Sequence, residues 1–270
     1  MMQPMVTILI PHYKTLELTK LCLRLIRKHT DLNKAHVIVI DNDSQDASLD
    51  YLRTVSWIQL IERKGIAHES AILSHSRALD LGLESVTTPY VLSIHTDTLV
   101  KHSSWLEFLL SIIEKNSNVA GVGSWKLESK PWWRQLLKTI ERRLQLGYHQ
   151  VSGQVPERME GIGKNHYYLR SHCALYRVEL FKKLDLSFSS GDAVAGKDLH
   201  RRLVSAGHEM VFLPSHILIH YLEHINHATT VLNPELSTRA KSIHKGLHRI
   251  KQSLSRLNAE SILLDVNLDH

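Results

Sequence analysis

Cysteine is nearly absent. Cys22 and Cys173 are the two in 270 residues, they form no CxxC pair, and both fall inside apolar stretches. That excludes a disulfide framework and a thiolate zinc knuckle, and a chain of this length buries enough surface to fold without such staples. Long apolar runs are missing too. Val37–Ile40 is typical of the longest, far short of the roughly 20 residues that cross a bilayer, so any membrane contact is expected to be peripheral. No signal-like apolar core opens the sequence, and the two thiols are expected to be reduced core residues of a cytosolic protein. No internal repeat or low-complexity segment appears. The balance, 43% hydrophobic and 22% charged, is ordinary for a globular protein.

Acids are absent from one stretch in particular. Between Leu236 and Asn258 stand Arg239, Lys241, Lys245, Arg249, Lys251 and Arg256, with no Asp or Glu. The net charge of +6 therefore resides in this tail, and the remaining chain is close to neutral.

What is present is an alternation of short apolar runs and helical stripes. Val6–Ile10 reads as a buried strand ending at Pro11, and Leu18, Leu21, Cys22, Leu25 and Ile26 then form the stripe of a core-facing helix with Thr15 at its N-cap. His36–Ile40, Ile58–Ile61 and Pro89–Ile94 are further strands, with a helix over about 69–83 before the last of them. Strands without polar alternation, separated by helices, imply a mostly parallel sheet covered on both faces. Ligands of such sheets bind outside the carboxyl ends of the strands. The polar clusters Pro11–Lys14, Asp41–Asp46 and His95–Thr98 all fall there. Further on, the pattern predicts helices over 103–116, 131–144 and 198–206, strands over 119–124, 171–177, 210–213 and 217–219, and a loop over 147–164.

The run Val6-Thr-Ile-Leu-Ile-Pro-His-Tyr13, then Val37-Ile-Val-Ile-Asp-Asn-Asp-Ser-Gln-Asp46, resembles the opening of family 2 glycosyltransferases. Ser76–Leu83, Thr88–Asp97, Asp198–Leu203, Gly207, Leu213-Pro214 and His220 continue that pattern in order, over about residues 5–225. The resemblance implies a GT-A, Rossmann-like α/β domain over 1–228, with a donor half over 1–100, an acceptor half over 101–228, and a helical tail over 229–270. It implies an inverting transferase, moving a hexose from a UDP- or dTDP-sugar to a glycan, lipid-linked or polysaccharide acceptor.

By that resemblance Asp41 contacts uracil, Pro11 and Tyr13 wall the base, and Asp43, Arg77, His95 and Thr96 complete the donor site, Arg77 against the pyrophosphate. His95-Thr-Asp97 takes the place of the family's DxD motif. Asp97 is the expected metal ligand, joined by His220, and His95 in place of the first acid suits Mn²⁺ better than Mg²⁺ because imidazole is the softer donor. Read without the family, Asp41–Ser44 is also an ordinary turn or helix cap, and Arg77 a solvated arginine. His216, His220, His224 and His227 also allow a zinc cluster. Inversion needs a carboxylate base. Members carry Glu-Asp before the Asp198 helix; here Ala195-Gly196 stand there, which leaves Asp192 or Asp198.

Leu236, Ala240, Ile243, Leu247, Ile250, Leu254 and Leu257 form a heptad-spaced seam on the basic tail. It fits a helix packed on the domain, a homodimer seam, or an interfacial helix on anionic lipid at the inner face of the cell membrane, with Lys130–Arg143 as a second basic surface. Nucleic acid is not expected, since aromatics are not interleaved with the tail's basic residues. A non-catalytic GT-A-like binding or assembly module is the competing reading. A nucleotidyltransferase lacks support, because Pro11–Lys14 is no Gly-rich phosphate loop.

Overall fold

The computed structural model describes residues 3–127, 166–191, 194–225, 228–232 and 240–270. The first strand, β1 (Val6–His12), is buried along its whole length, and its side chains leave alternately to the two sheet faces. Val6, Ile8 and Ile10 join one apolar cluster and Leu9 another, so both faces need cover. Helix α1 (Leu16–His29) covers the first face with Leu18, Leu21, Cys22, Leu25 and Ile26. Helix α3 (Ala71–Glu84) covers the second with Ala78 and Leu79. It packs so closely that a Cβ on Gly82 would lie 2.8 Å from Ile40 Cδ1.

Strands β2 (Ala35–Asn42), β3 (Gln59–Arg63) and β4 (Tyr90–Ile94) run parallel with β1 in the order β3-β2-β1-β4. The order reverses between β1 and β4, which opens a crevice at their carboxyl ends. Strand β7 (Cys173–Arg177) pairs antiparallel with β4 and with β6 (Val119–Gly123), and β8 (Glu209–Phe212) closes the seven-stranded sheet parallel to β6. The mostly parallel sheet with helices on both faces, expected from the sequence, is present.

Two antiparallel pairings decide where chemistry collects. Ile94 lies opposite Cys173, so the residues entering β7 arrive at the carboxyl end of β4. A separate ribbon of β5 (Thr98–Val100) and β9 (Leu222–His224) puts Thr98 opposite His224. Segments far away in sequence are thus returned to the edge that carries His95–Asp97.

Thr15 stands at the N-cap of α1 as expected, but its φ of 64° is left-handed and its side chain makes no cap hydrogen bond. One expectation needs correction. The strand expected over Ile217–Ile219 is instead a helical turn, α7 (Ser215–Leu218), in which the Pro214 carbonyl accepts from the amides of Ile217 and Leu218. Leu218 is buried there while Ile217 is exposed, and Pro214 has no N–H to offer a ladder. Helix α9 (Ala240–Arg256) carries the described part of the seam and stops before Asn258, which starts α10 (Ala259–Leu264) from the left-handed region. Along α9 and just beyond it Ile250, Leu254 and Leu257 pack on the core, and Leu247 stays exposed. The helix expected over 131–144, the loop over 147–164, the surface over Lys130–Arg143, His227 and Leu236 lie outside the described residues. No described helix is long and apolar enough to cross a membrane.

The turn Val266–Asp269 is tied to the start of the chain. Arg24 Nε donates to Asp269 Oδ1 at 2.8 Å and Arg24 Nη2 to Oδ2 at 2.5 Å, while the Tyr51 hydroxyl donates to Oδ1 at 2.7 Å. Burial alone would push the Asp269 carboxyl up; the Arg24 and Tyr51 hydrogen bonds outweigh it and hold it below the usual range. Removing one member of such a buried pair leaves the other uncompensated. Asp269→Ala is therefore expected to cost about 3–5 kcal/mol in denaturant unfolding. A loss below about 1 kcal/mol would show that the pair behaves as a surface contact.

Candidate functional site

The carboxyl ends of β1, β2 and β4 open onto a cavity of about 870 Å³. Pro11–Tyr13 and Asn42–Asp43 form one wall, Glu69 and His75 another, and His95–Asp97, Arg170–His172 and His224 the floor and far side.

Asp97 is the focus. Its residue is 5% exposed. Oδ2 accepts the Ala228 amide at 3.3 Å, at the start of α8 (Ala228–Leu232). Oδ1 is buried without a hydrogen-bond donor among the described residues. It faces two imidazoles, His95 Nδ1 at 3.7 Å and His224 Nε2 at 3.4 Å. Burial would push the Asp97 carboxyl up, but His224, His95 and the Ala228 amide hold it below the usual range. One atom from each of His95, Asp97 and His224 falls within 4.8 Å of the others, a spacing that could hold a metal ion. A carboxylate oxygen with two imidazole nitrogens suits a first-row divalent ion.

Around this trio lie two more histidines. His172 stacks on His224 with centroids 4.7 Å apart and receives or gives a 2.9 Å hydrogen bond at Ser124 Oγ. His75 meets His95 edge to face at 4.7 Å. Burial holds His95 and His172 well below the ordinary histidine value and His75 at about 4. All three are neutral at physiological pH, with lone pairs available.

On the donor wall, the Asp41 carboxylate is turned inward. Oδ2 accepts the Ser44 amide at 3.0 Å and Oδ1 the Ser44 hydroxyl at 2.5 Å, so it holds its own turn and does not line the cavity. His12, 3.6 Å away, is pinned by Ser48 and Thr19, and burial pushes it down to about 4 against the pull of Asp41 and Asp46. Asn42, Asp43, Pro11, Tyr13 and Thr96 do line the cavity. Asp43 sits close under Gly65, where a Cβ would come within 2.8 Å of its Oδ2.

Three expected residues lie elsewhere. Arg77 binds Glu69 at 2.9 Å, and Glu69 also takes Arg63 at 2.6 Å, so both arginines are engaged by one carboxylate and neither lines the cavity. The lining's cationic side chain is instead Arg170, which lies over the Trp125 ring at 4.3 Å. His220 is exposed in the turn after α7, and the histidine that meets Asp97 is His224, because the β5–β9 register places it there. Asp198, in the first turn of α6 (Lys197–Ser205), pairs with Arg201 and does not line the cavity, although Val194 and Ala195 do. Asp192 lies outside the described residues. Arg170, Ser171, His172 and His75 carry no motif that the sequence could have flagged. Their one signal is position, directly before β7 or early in α3.

The profile of glycosyl transferase family 2 matches residues 7–185. This chain belongs to glycosyl transferase family 2. No curated protein sequence matches it. Among solved structures, the mannosyltransferase PcManGT from Pyrobaculum calidifontis, in complex with GDP-Man and Mn²⁺, aligns with a TM-score of 0.56 at 16% identity, over 98% of this chain and 71% of that one. TarS of S. aureus, residues 1–349, gives 0.52 at 14% identity, over 97% and 76%. The glucosyl-3-phosphoglycerate synthase of Mycobacterium tuberculosis, with phosphoglyceric acid, gives 0.50 at 15%, over 94% and 80%. At these identities the likeness concerns the fold. The His95–Asp97–His224 trio makes a distinct claim against His220. Mn²⁺ affinity by calorimetry is expected to fall about tenfold or more in His224→Ala and to stay unchanged in His220→Ala. The opposite pattern would move the site to the exposed turn.

Proposed function

We propose that the chain transfers a hexosyl group with inversion from a UDP- or dTDP-sugar to a hydroxyl of a glycan, free or lipid-linked. The observation that carries this reading is the buried Asp97 Oδ1, without a donor, between two imidazoles at the floor of the cavity. A space of about 870 Å³ matches the usual range for a ligand of nucleotide-sugar size.

In this reading His95, Asp97 and His224 hold a divalent cation, Mn²⁺ rather than Mg²⁺ because two of three donors are nitrogen. Such an ion, when bound, neutralises the charge that develops on a departing nucleoside diphosphate. The chain's own groups do the rest. Tyr13, Asn42 and Asp43 border the nucleoside, and Arg170 supplies the cation that Arg77 does not bring. A guanidinium stacked on an aromatic ring keeps its in-plane donors free for oxyanions. Asp192 is the proposed base: Val194 and Ala195, two and three positions further along the chain, line the cavity, whereas Asp198 is engaged by Arg201.

Thermal-shift screening of UDP-, dTDP- and GDP-sugars, with and without Mn²⁺, tests the donor reading. A UDP- or dTDP-sugar is expected to stabilise the protein only with Mn²⁺ and to release nucleoside diphosphate slowly without acceptor. Asp97→Asn should abolish both effects, and Arg170→Ala should weaken donor binding by about tenfold, the loss of one charged hydrogen bond. No shift with any of these sugars would contradict the reading. Binding with no turnover, across a panel of acceptors, would instead favour a non-catalytic module.

A further inference from the structure

Each imidazole at the Asp97 site has two nitrogens, and only one can face a cation. For His95 the nitrogen towards Asp97 is Nδ1. Its other nitrogen, Nε2, lies 3.0 Å from Ser171 Oγ. The same hydroxyl lies 3.0 Å from His75 Nε2. Ser171 therefore bridges two histidines, one from the end of β4 and one from α3. It can do so because the segment entering β7 runs back along β4, and because the turn closed by the Cys173 amide on the Arg170 carbonyl at 3.2 Å points Ser171 into the cavity.

A hydroxyl carries one proton. With an imidazole nitrogen on each side, Ser171 donates to one ring and accepts from the other. A lone pair on His95 Nδ1 requires the His95 proton on Nε2, where it donates to Ser171 Oγ. The Ser171 O–H then donates to His75 Nε2, and His75 carries its own proton on Nδ1. The direction of the whole chain follows from that one requirement at Nδ1.

We propose that Ser171 and His75 form a hydrogen-bonded layer behind His95 that fixes its tautomer and ring orientation for cation binding, and so sets the affinity of the site. The proposal rests on the reading of His95, Asp97 and His224 as cation ligands. Ligating histidines are commonly oriented by a partner on the far nitrogen, usually a carboxylate or a backbone carbonyl. Here the partner is a neutral hydroxyl backed by a second imidazole. His224 differs: its Nδ1 is buried without a partner among the described residues, and its ring stacks on His172 at an interplanar angle of 17°. Ser171 and His75 are thus positioning residues, with no contact to a reacting atom required of them.

The test measures Mn²⁺ affinity by calorimetry and the visible spectrum of bound Co²⁺, on the full chain without donor or acceptor. Ser171→Ala is expected to weaken Mn²⁺ about tenfold and to alter the Co²⁺ spectrum, with Ser171→Thr restoring both to within about twofold of the parent. His75→Phe should weaken Mn²⁺ similarly, and the double variant Ser171→Ala/His75→Phe should be no worse than either alone, because the two residues act as one chain. Metal-free melting temperatures of the variants should match the parent, which separates positioning from a folding defect. Parental affinity and spectrum in Ser171→Ala and His75→Phe would overturn the proposal, as would failure of threonine to restore binding. If Ser171→Ala does not fold, His75→Phe decides alone. A parent chain that binds neither Mn²⁺ nor Co²⁺ would overturn the cation reading itself, and this layer with it.

Discussion

Asp97 is a carboxylate placed where a carboxylate is costly. It is nearly fully buried, one oxygen satisfied by the Ala228 amide and the other facing two imidazoles without a donor among the described residues. An ionised group in such surroundings needs a positive partner or a dense set of hydrogen bonds. His95 and His224 come close enough to stabilise the charge partly. The arrangement is only half satisfied by the protein alone, and a divalent cation is the group that would complete it.

The fold makes this possible through direction of travel. Parallel strands β1, β2 and β4 deliver Pro11–Tyr13, Asn42–Asp43 and His95–Asp97 to one edge. Strands β7 and β9 run the other way against β4 and β5, so the residues before β7 and at the end of β9 arrive at that same edge. Arg170, Ser171, His172 and His224 therefore belong to the site although some 70 to more than 120 positions separate them from Asp97 along the chain. The tail contributes from behind: Glu223, beside His224, receives Lys101, Ser253 and Arg256, which ties α9 to the ribbon that carries the ligand.

The first half of the fold was legible because apolar strands, a helical stripe and polar strand ends are local signals. Asp97 and His95 were legible for the same reason, since they end a buried strand. Arg77 and Asp41 were legible as residue types but not as roles. A charge looks free in sequence until its partner is known, and Glu69 and Ser44 take these two. Sequence spacing favours His220 over His224 because strand register cannot be counted across an unforeseen helical turn, α7, and a three-residue strand, β9. Ser171 and His75 gave no signal, because their meaning lies in a shared hydrogen-bond geometry and not in spacing.

The most direct test of the account is anomalous diffraction from crystals grown with Mn²⁺ and a nucleoside diphosphate. One strong peak is expected within coordination distance of Asp97 Oδ1, His95 Nδ1 and His224 Nε2, with diphosphate oxygens on its open side and the Arg170 guanidinium against them. A peak at His220, or ordered diphosphate in the cavity with no metal at Asp97, would contradict it.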